Sequence, residues 1–328
     1  MPTNLPPEYF EIEKRYKEAK TPVEKIAGLE DLLASVPKHK GTDKLRADLK
    51  KRLSKLKTSA QKKKSMGTYD SPYRIEKEGA GQVVVIGAAN TGKSSLVSEL
   101  TNATPETAQF PYATWTPTPG MMIFEDIQIQ LIDTPPLNED FVDPEMIDLI
   151  RRCDLAVLLI DLQSGPLVQL ERSLAVLEQN RVVPSQSKGR YEKYERLAFV
   201  DLMVVANRCE SEEDRETLEI FHELTEQQWG VLPISIKTGF NLDRFKSALF
   251  QRLNIIRVYS KAPGKKADMK APFVLPSGST VQDLAKKVHK DFIENFKAAR
   301  VWGKTVYDGQ MAPRDHVLND GDVVEIQT

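Results

Sequence analysis

The segment Gly87-Ala88-Ala89-Asn90-Thr91-Gly92-Lys93-Ser94 constrains this chain more than any other stretch. It fits the pattern G-x-x-x-x-G-K-[ST] and falls between an apolar run, Val83 to Ile86, and a stretch of helical pattern, which is the strand–loop–helix setting that gives the pattern its meaning. The glycines let the backbone curl so that successive amide hydrogens point at phosphate oxygens, and the following helix adds its positive end. Lys93 is placed to reach the β- and γ-phosphates, and the Ser94 hydroxyl to ligate Mg2+, with Ser95 next on the helix.

A phosphate loop of this kind demands a parallel sheet behind it. From Gln82 onward short apolar runs alternate with amphipathic stretches, as in a parallel sheet wrapped by helices. Five runs qualify as strands: Val83 to Ile86, Ile127 to Ile132, Leu155 to Ile160, Leu202 to Ala206 and Val231 to Ile234. Leu242 to Tyr259 reads as a closing helix, and the polar stretch from Lys261 to Asp268 as a linker. A new domain is then expected near Ala271.

Before the sheet, Thr21-Pro22-Val23-Glu24 has the hydroxyl, proline and glutamate of a helix start. Apolar residues then recur at helical spacing, Leu29 or Leu33 and Val36 among them, up to Pro37. Leu45, Leu49, Leu53 and Leu56 form one stripe of a second helix, so an antiparallel hairpin is expected. Its outer face is basic: Lys38 to Lys64 holds twelve Lys or Arg against Asp43 and Asp48, in a chain whose net charge is only −1. Such a block either attracts polyanions or is a solvated face.

Composition excludes several classes. Hydrophobic residues at 40% and charged residues at 28% are the balance of a globular chain, not a disordered one. No apolar run approaches the ~18 residues of a bilayer span, so no membrane association is expected. The polar start, Met1 to Phe10, is not of the secretory type. Cys153 and Cys209 alone make neither a disulfide framework nor a zinc site. A cytoplasmic location is the expectation.

Two further boxes follow the phosphate loop in order. Asp133, just after Ile127 to Ile132, is placed to hold the magnesium shell from a strand end, although an aspartate there is also a common turn former. Asn207-Arg208-Cys209-Glu210 follows Leu202 to Ala206, where GTPases carry Asn-Lys-x-Asp to recognise guanine. A carboxylate that pairs with the guanine N–H groups rejects adenine, which presents the wrong pattern. Here Glu210 takes the aspartate place and Arg208 the lysine place. Ser235-Ile236-Lys237 then stands where a Ser-Ala-x loop lines the base.

With these boxes in order the chain resembles the Obg and developmentally regulated GTP-binding protein superfamily, especially its short TGS-containing prokaryotic members. The resemblance implies an α/β fold: a Ras-like P-loop GTPase domain with an N-terminal helical hairpin and a C-terminal β-grasp TGS domain. The expected bounds are 1–75, 76–262 and 270–328. Phe110-Pro111-Tyr112-Ala113-Thr114-Trp115 looks like the family's switch I, with Thr114 closing on magnesium and γ-phosphate. Pro276 to Val281, Arg300 to Lys304 and Leu318 to Ile326 resemble TGS turns and strands. The activity implied is GTP hydrolysis, with GTP or GDP as ligand and Lys93, Thr114 and Asn90 as the catalytic set. The partner implied is the ribosome or another structured RNA, with a protein partner of the TGS domain as an alternative.

This sequence also departs from the family. Pro136 stands where Asp-x-Pro-Gly has its glycine, and proline has no amide to offer the γ-phosphate. Leu137 is apolar where many small GTPases orient water with glutamine. Asn90 resembles the phosphate-loop asparagine of potassium-activated GTPases, whose K+ would spread transition-state charge; equally, asparagine suits an unusual loop backbone. Two other readings stay open: a scaffold with negligible hydrolysis, and relaxed base choice that admits ATP.

Overall fold

The computed structural model describes residues 28–29, 31–33, 35–36, 71–102, 116–138, 142–191, 196–225 and 229–327. The chain divides into two compact units, 1–71 and 72–328. In the first, the described residues are helical at 28–29, 31–33 and 35, and Leu29, Leu32 and Val36 are buried. The basic stretch 38–64 and the switch I segment with Thr114 lie outside the described residues.

The second unit holds two large sheets and a two-stranded one. Strand β1 (Gln82–Ile86) is followed by helix α1 (Lys93–Leu100), then by β2 (Thr118–Phe124) and β3 (Ile127–Asp133). Helix α2 (Pro144–Arg152), β4 (Leu155–Asp161) and α3 (Pro166–Gln179) come next. A small parallel pair, β5 (Val182–Pro184) and β6 (Ala198–Val200), precedes β7 (Leu202–Asn207), α4 (Glu212–Leu224), β8 (Leu232–Pro233) and α5 (Leu242–Arg252). The main sheet has the order β2-β3-β1-β4-β7-β8, parallel except for β2 against β3. Strands β1 and β4 are buried along their full length because helices cover both faces, and that is why they read as unbroken apolar runs.

Strand β2 has no counterpart among the five predicted runs. It opens with Thr118-Pro119-Gly120, two breakers in succession, and as the outermost strand it leaves Ile123 60% exposed, so its pattern is muted.

The region after Arg252 is the main correction. The expected helix to Tyr259 stops at Arg252, and Asn254 takes a left-handed φ of 51° that a continuing helix forbids. Strand β9 (Ile255–Ser260) then begins the second sheet, which continues through β10 (Phe273–Pro276), β11 (Ala298–Trp302), β12 (Gln310–Ala312) and β13 (Asp322–Gln327). Its order is β10-β9-β13-β11-β12, with β9 and β13 parallel at the centre. The second domain therefore starts at Ile255 and not near residue 270, and the polar stretch after Lys261 connects two strands of one sheet. Thr280 and Asp283 form a capping box that opens α6 (Val281–Val288), whose Val281, Leu284 and Ala285 are buried in the core of this sheet. This helix ends at His289, which is extended.

The two sheets meet at a polar seam. Arg257 of β9 donates to Asp320 through Nε at 3.0 Å and Nη2 at 2.8 Å, and through Nη1 to Asp126 at 3.0 Å and to Glu125 in the β2–β3 turn. Tyr259 donates its hydroxyl to Asp126. The guanidinium lies 4.9 Å above the Phe250 ring, which stacks on Phe124.

Candidate nucleotide site

The register of the main sheet assembles the site. Val85 of β1 pairs with Asp133 of β3, so the first strand's exit into the phosphate loop lies beside the aspartate. Asp161 of β4 pairs with Asn207 of β7 one strand further on. All these residues sit at the carboxyl ends of parallel strands, where ligands of open α/β sheets bind.

The loop from Gly87 to Gly92 depends on glycine at two places. A Cβ on Gly87 would lie 2.3 Å from the Leu159 carbonyl oxygen. Gly92 has φ 98°, and a Cβ there would lie 2.6 Å from Asn207 Nδ2. Asn90 takes φ 63°, the left-handed conformation asparagine tolerates. Ala89 and Asn90 are exposed at the rim, and Ser95 is exposed on the first turn of α1.

At the phosphate end Lys93 and Asp133 are both buried, 6% and 0% exposed. Lys93 Nζ donates to the Gly87 and Ala88 carbonyls at 3.2 and 2.7 Å. Burial lowers its ammonium to about 8, against the pull of Asp133. Burial raises the Asp133 carboxyl above its ordinary range, opposed by the Ser94 hydroxyl and Lys93. Ser94 Oγ donates to Asp133 Oδ2 at 2.6 Å, while Asp133 Oδ1 is buried and accepts no hydrogen bond among the described residues. A hydroxyl and a carboxylate converge with one acceptor left over, and this oxygen donor set fits a magnesium ion.

Beyond the expected glycine position, Pro136 indeed offers no N–H. The next amide, Leu137 N–H, donates to the Gly87 carbonyl at 3.0 Å, and Leu137 is buried. The start of switch II is thereby fastened to the phosphate loop.

At the base end, Asn207 is a tie within the protein. Its Nδ2 donates to the Thr91 carbonyl at 2.9 Å and its Oδ1 accepts from the Ile236 N–H at 3.3 Å. Glu210 is the carboxylate that faces outward. It accepts from Ser235 Oγ at 3.3 Å and Lys237 Nζ at 3.1 Å, a buried and an exposed partner respectively. Arg208 spans Asp161 and the Asn90 carbonyl.

Three residues at this end escaped sequence reasoning: Asp161, Gln163 and Asp214. Asp214 accepts the N–H groups of Glu210 at 2.9 Å and Ser211 at 2.8 Å. Burial raises its carboxyl, yet these backbone bonds prevail and hold it below the ordinary range. The spacing Ser211-x-x-Asp214 is a readable capping signal. Asp161 has none, because only the β4–β7 register brings it to Asn207.

Known proteins similar to this chain are GTP-binding proteins. Residues 82–208 match the model of the 50S ribosome-binding GTPase family, and residues 256–328 match that of the TGS domain. A protein of Methanocaldococcus jannaschii named as a GTP-binding protein is 27% identical over 92% of each chain. Ribosome-interacting GTPase 1 of Saccharomyces cerevisiae is 25% identical over 93% of this chain and 99% of its own. Developmentally-regulated G-protein 1 of Arabidopsis thaliana is 25% identical over 93% of this chain and 90% of its own. The YchF GTPase of Schizosaccharomyces pombe shares the fold, with a TM-score of 0.51 at 12% identity over 77% of this chain and 99% of that one. Among the described residues no helix is long and apolar enough to cross a membrane.

Proposed function

Taking the chain as an Obg/DRG-like GTPase with a C-terminal TGS domain, we propose that it hydrolyses GTP to GDP in the cytoplasm and that its nucleotide state sets its affinity for the ribosome or another structured RNA. The observation that carries this reading is the convergence at the sheet's carboxyl edge of Lys93, the Ser94–Asp133 pair and the Asn207–Glu210 box. Lys93 would leave its own loop carbonyls for the phosphates. Ser94 and Asp133, with Thr114, would hold magnesium, which when bound neutralises phosphate charge. Glu210, which accepts from Lys237 in this structure, would take the guanine N–H groups and leave adenine unpaired. A partner on the ribosome is suggested by the names of the matched family and of the yeast relative.

Asn90 would supply the catalytic assistance that Leu137 lacks, by helping to hold a potassium ion between phosphates. Single-turnover hydrolysis measured in potassium and in sodium checks this: wild type is expected to be faster in potassium and Asn90→Ala equal in both. Co-sedimentation with ribosomal particles in GTP-analogue, GDP and nucleotide-free states tests the partner, and equal pelleting in all three would remove the switch.

A second reading is favoured by one observation, the Leu137 N–H bond to Gly87. A switch II fastened this way suits a nucleotide-binding scaffold with negligible hydrolysis. Turnover no faster than free GTP in either salt would select it.

A further inference from the structure

Arg208 stands in the lysine place of the base box, and its surroundings explain what an arginine does there. Its backbone is left-handed, φ 68°, which turns the side chain back over the phosphate loop. Nη1 meets Asp161 Oδ2 at 2.8 Å and Nη2 donates to the Asn90 carbonyl at 3.3 Å. A planar fork can hold both acceptors at once, whereas a lysine ammonium on a flexible stem is a single point charge.

The carboxylate end of this strut is built in. Asp161 is 4% exposed, at the end of β4 and in register with Asn207. Its oxygens accept from the Gln163 N–H at 2.9 Å and the Ser164 hydroxyl at 3.1 Å, so it cannot follow Arg208 if the arginine moves. The same turn reaches the other side of the base box. Gln163 Nε2 donates to Asp214 Oδ1 at 3.3 Å and to the Arg208 carbonyl at 3.4 Å, and Asp214 in turn fixes the Glu210 and Ser211 amides.

We infer that Asp161 is a positioning residue for the guanine nucleotide: acting through Arg208, it locks the phosphate loop at Asn90 to the base box, so that phosphate and base recognition hold one spacing. This rests on the guanine-nucleotide reading above. Removal of the buried carboxylate lets the arginine swing into solvent, where its side chain is already 42% exposed, and the two halves of the site then lose their fixed separation.

The test is a double-mutant cycle read by GDP affinity and dissociation rate on the full chain. Asp161→Asn and Arg208→Gln are each expected to weaken GDP by about tenfold, mainly through faster release, and the double variant to be no weaker than either, because both remove the same strut. Asp161→Glu should recover part of the loss, which a merely structural defect at a buried position would not. Should Asp161→Asn fail to fold, Arg208→Gln, at a half-exposed side chain, carries the test alone. Wild-type affinity in Arg208→Gln overturns the inference, as do losses that multiply to about a hundredfold in the double variant. If wild type itself fails to bind GDP, the guanine reading falls first and this inference with it.

Discussion

Lys93 and Arg257 are both cations withdrawn from water, and the chain treats them in opposite ways. Among the described residues Lys93 has only the carbonyls of its own loop as acceptors, and burial lowers its ammonium to about 8. Arg257, with a side chain 13% exposed, meets Asp320, Asp126 and Glu125; hydrogen bonding to Asp320 above all holds its guanidinium above the ordinary range, against burial. The seam is self-complementary, so it belongs to the fold. The phosphate loop keeps a buried cation with no carboxylate bonded to it among the described residues, which marks it as the candidate functional site.

Removing Lys93 should separate these roles most sharply. Lys93→Ala is expected to weaken GTP by about a hundredfold or more, the scale of two charge-assisted hydrogen bonds, while the melting temperature stays level or rises. Calorimetric titration and a thermal scan check both halves, and unchanged GTP affinity would sink the site.

Arg257→Ala should do the reverse. Breaking a largely buried pair costs about 3 kcal/mol of stability, visible as an earlier or split unfolding transition, with GDP affinity unaltered. A variant that melts like wild type would show that the seam contributes nothing.

The two cations also differ in pH response. Unfolded chain keeps the Lys93 proton up to about 10.5 and folded chain only up to about 8, so the nucleotide-free protein should gain stability as pH rises between these values. The slope is at most about 1.4 kcal/mol per pH unit. Denaturation midpoints should flatten in Lys93→Met and with MgGDP bound, whereas Arg257→Ala should retain the rise.

Pro136→Gly probes the site more finely. Restoring the amide should improve discrimination of GTP over GDP by about 1 kcal/mol, the net value of one hydrogen bond. Identical GTP to GDP affinity ratios before and after would show that switch II is not held through this position.

Much of the site was legible because its chemistry is local. Gly87 to Ser94, Asp133 and Asn207 to Glu210 follow strands whose apolar residues mark them in the sequence, unbroken in β1 and interrupted by Gln128 and Gln130 in β3. What depended on geometry across strands was not legible. The ties of Asn207 to Thr91 and Ile236 come from the fold and could not be read from the Asn-Arg-Cys-Glu box. Strand β9 looked helical because Leu249, Phe250 and Leu253 lead into Ile256 at helical spacing, and the turn at Asn254 carries neither glycine nor proline. Asp161 gave no local signal at all.

The topology of the second sheet has a consequence for synthesis. Its central parallel pair joins β9 to β13, so Val258 to Ser260 have no neighbour on one side until Asp322 to Val324 has been made. The nucleotide domain's last strand, β8, ends at Pro233, long before that. A chain emerging in order can close the first sheet while β9 still trails as an unpaired edge, a state prone to wrong pairing. Asp320, the bidentate partner of Arg257, arrives just ahead of β13. The clasp and the strand it guards therefore become available for pairing together.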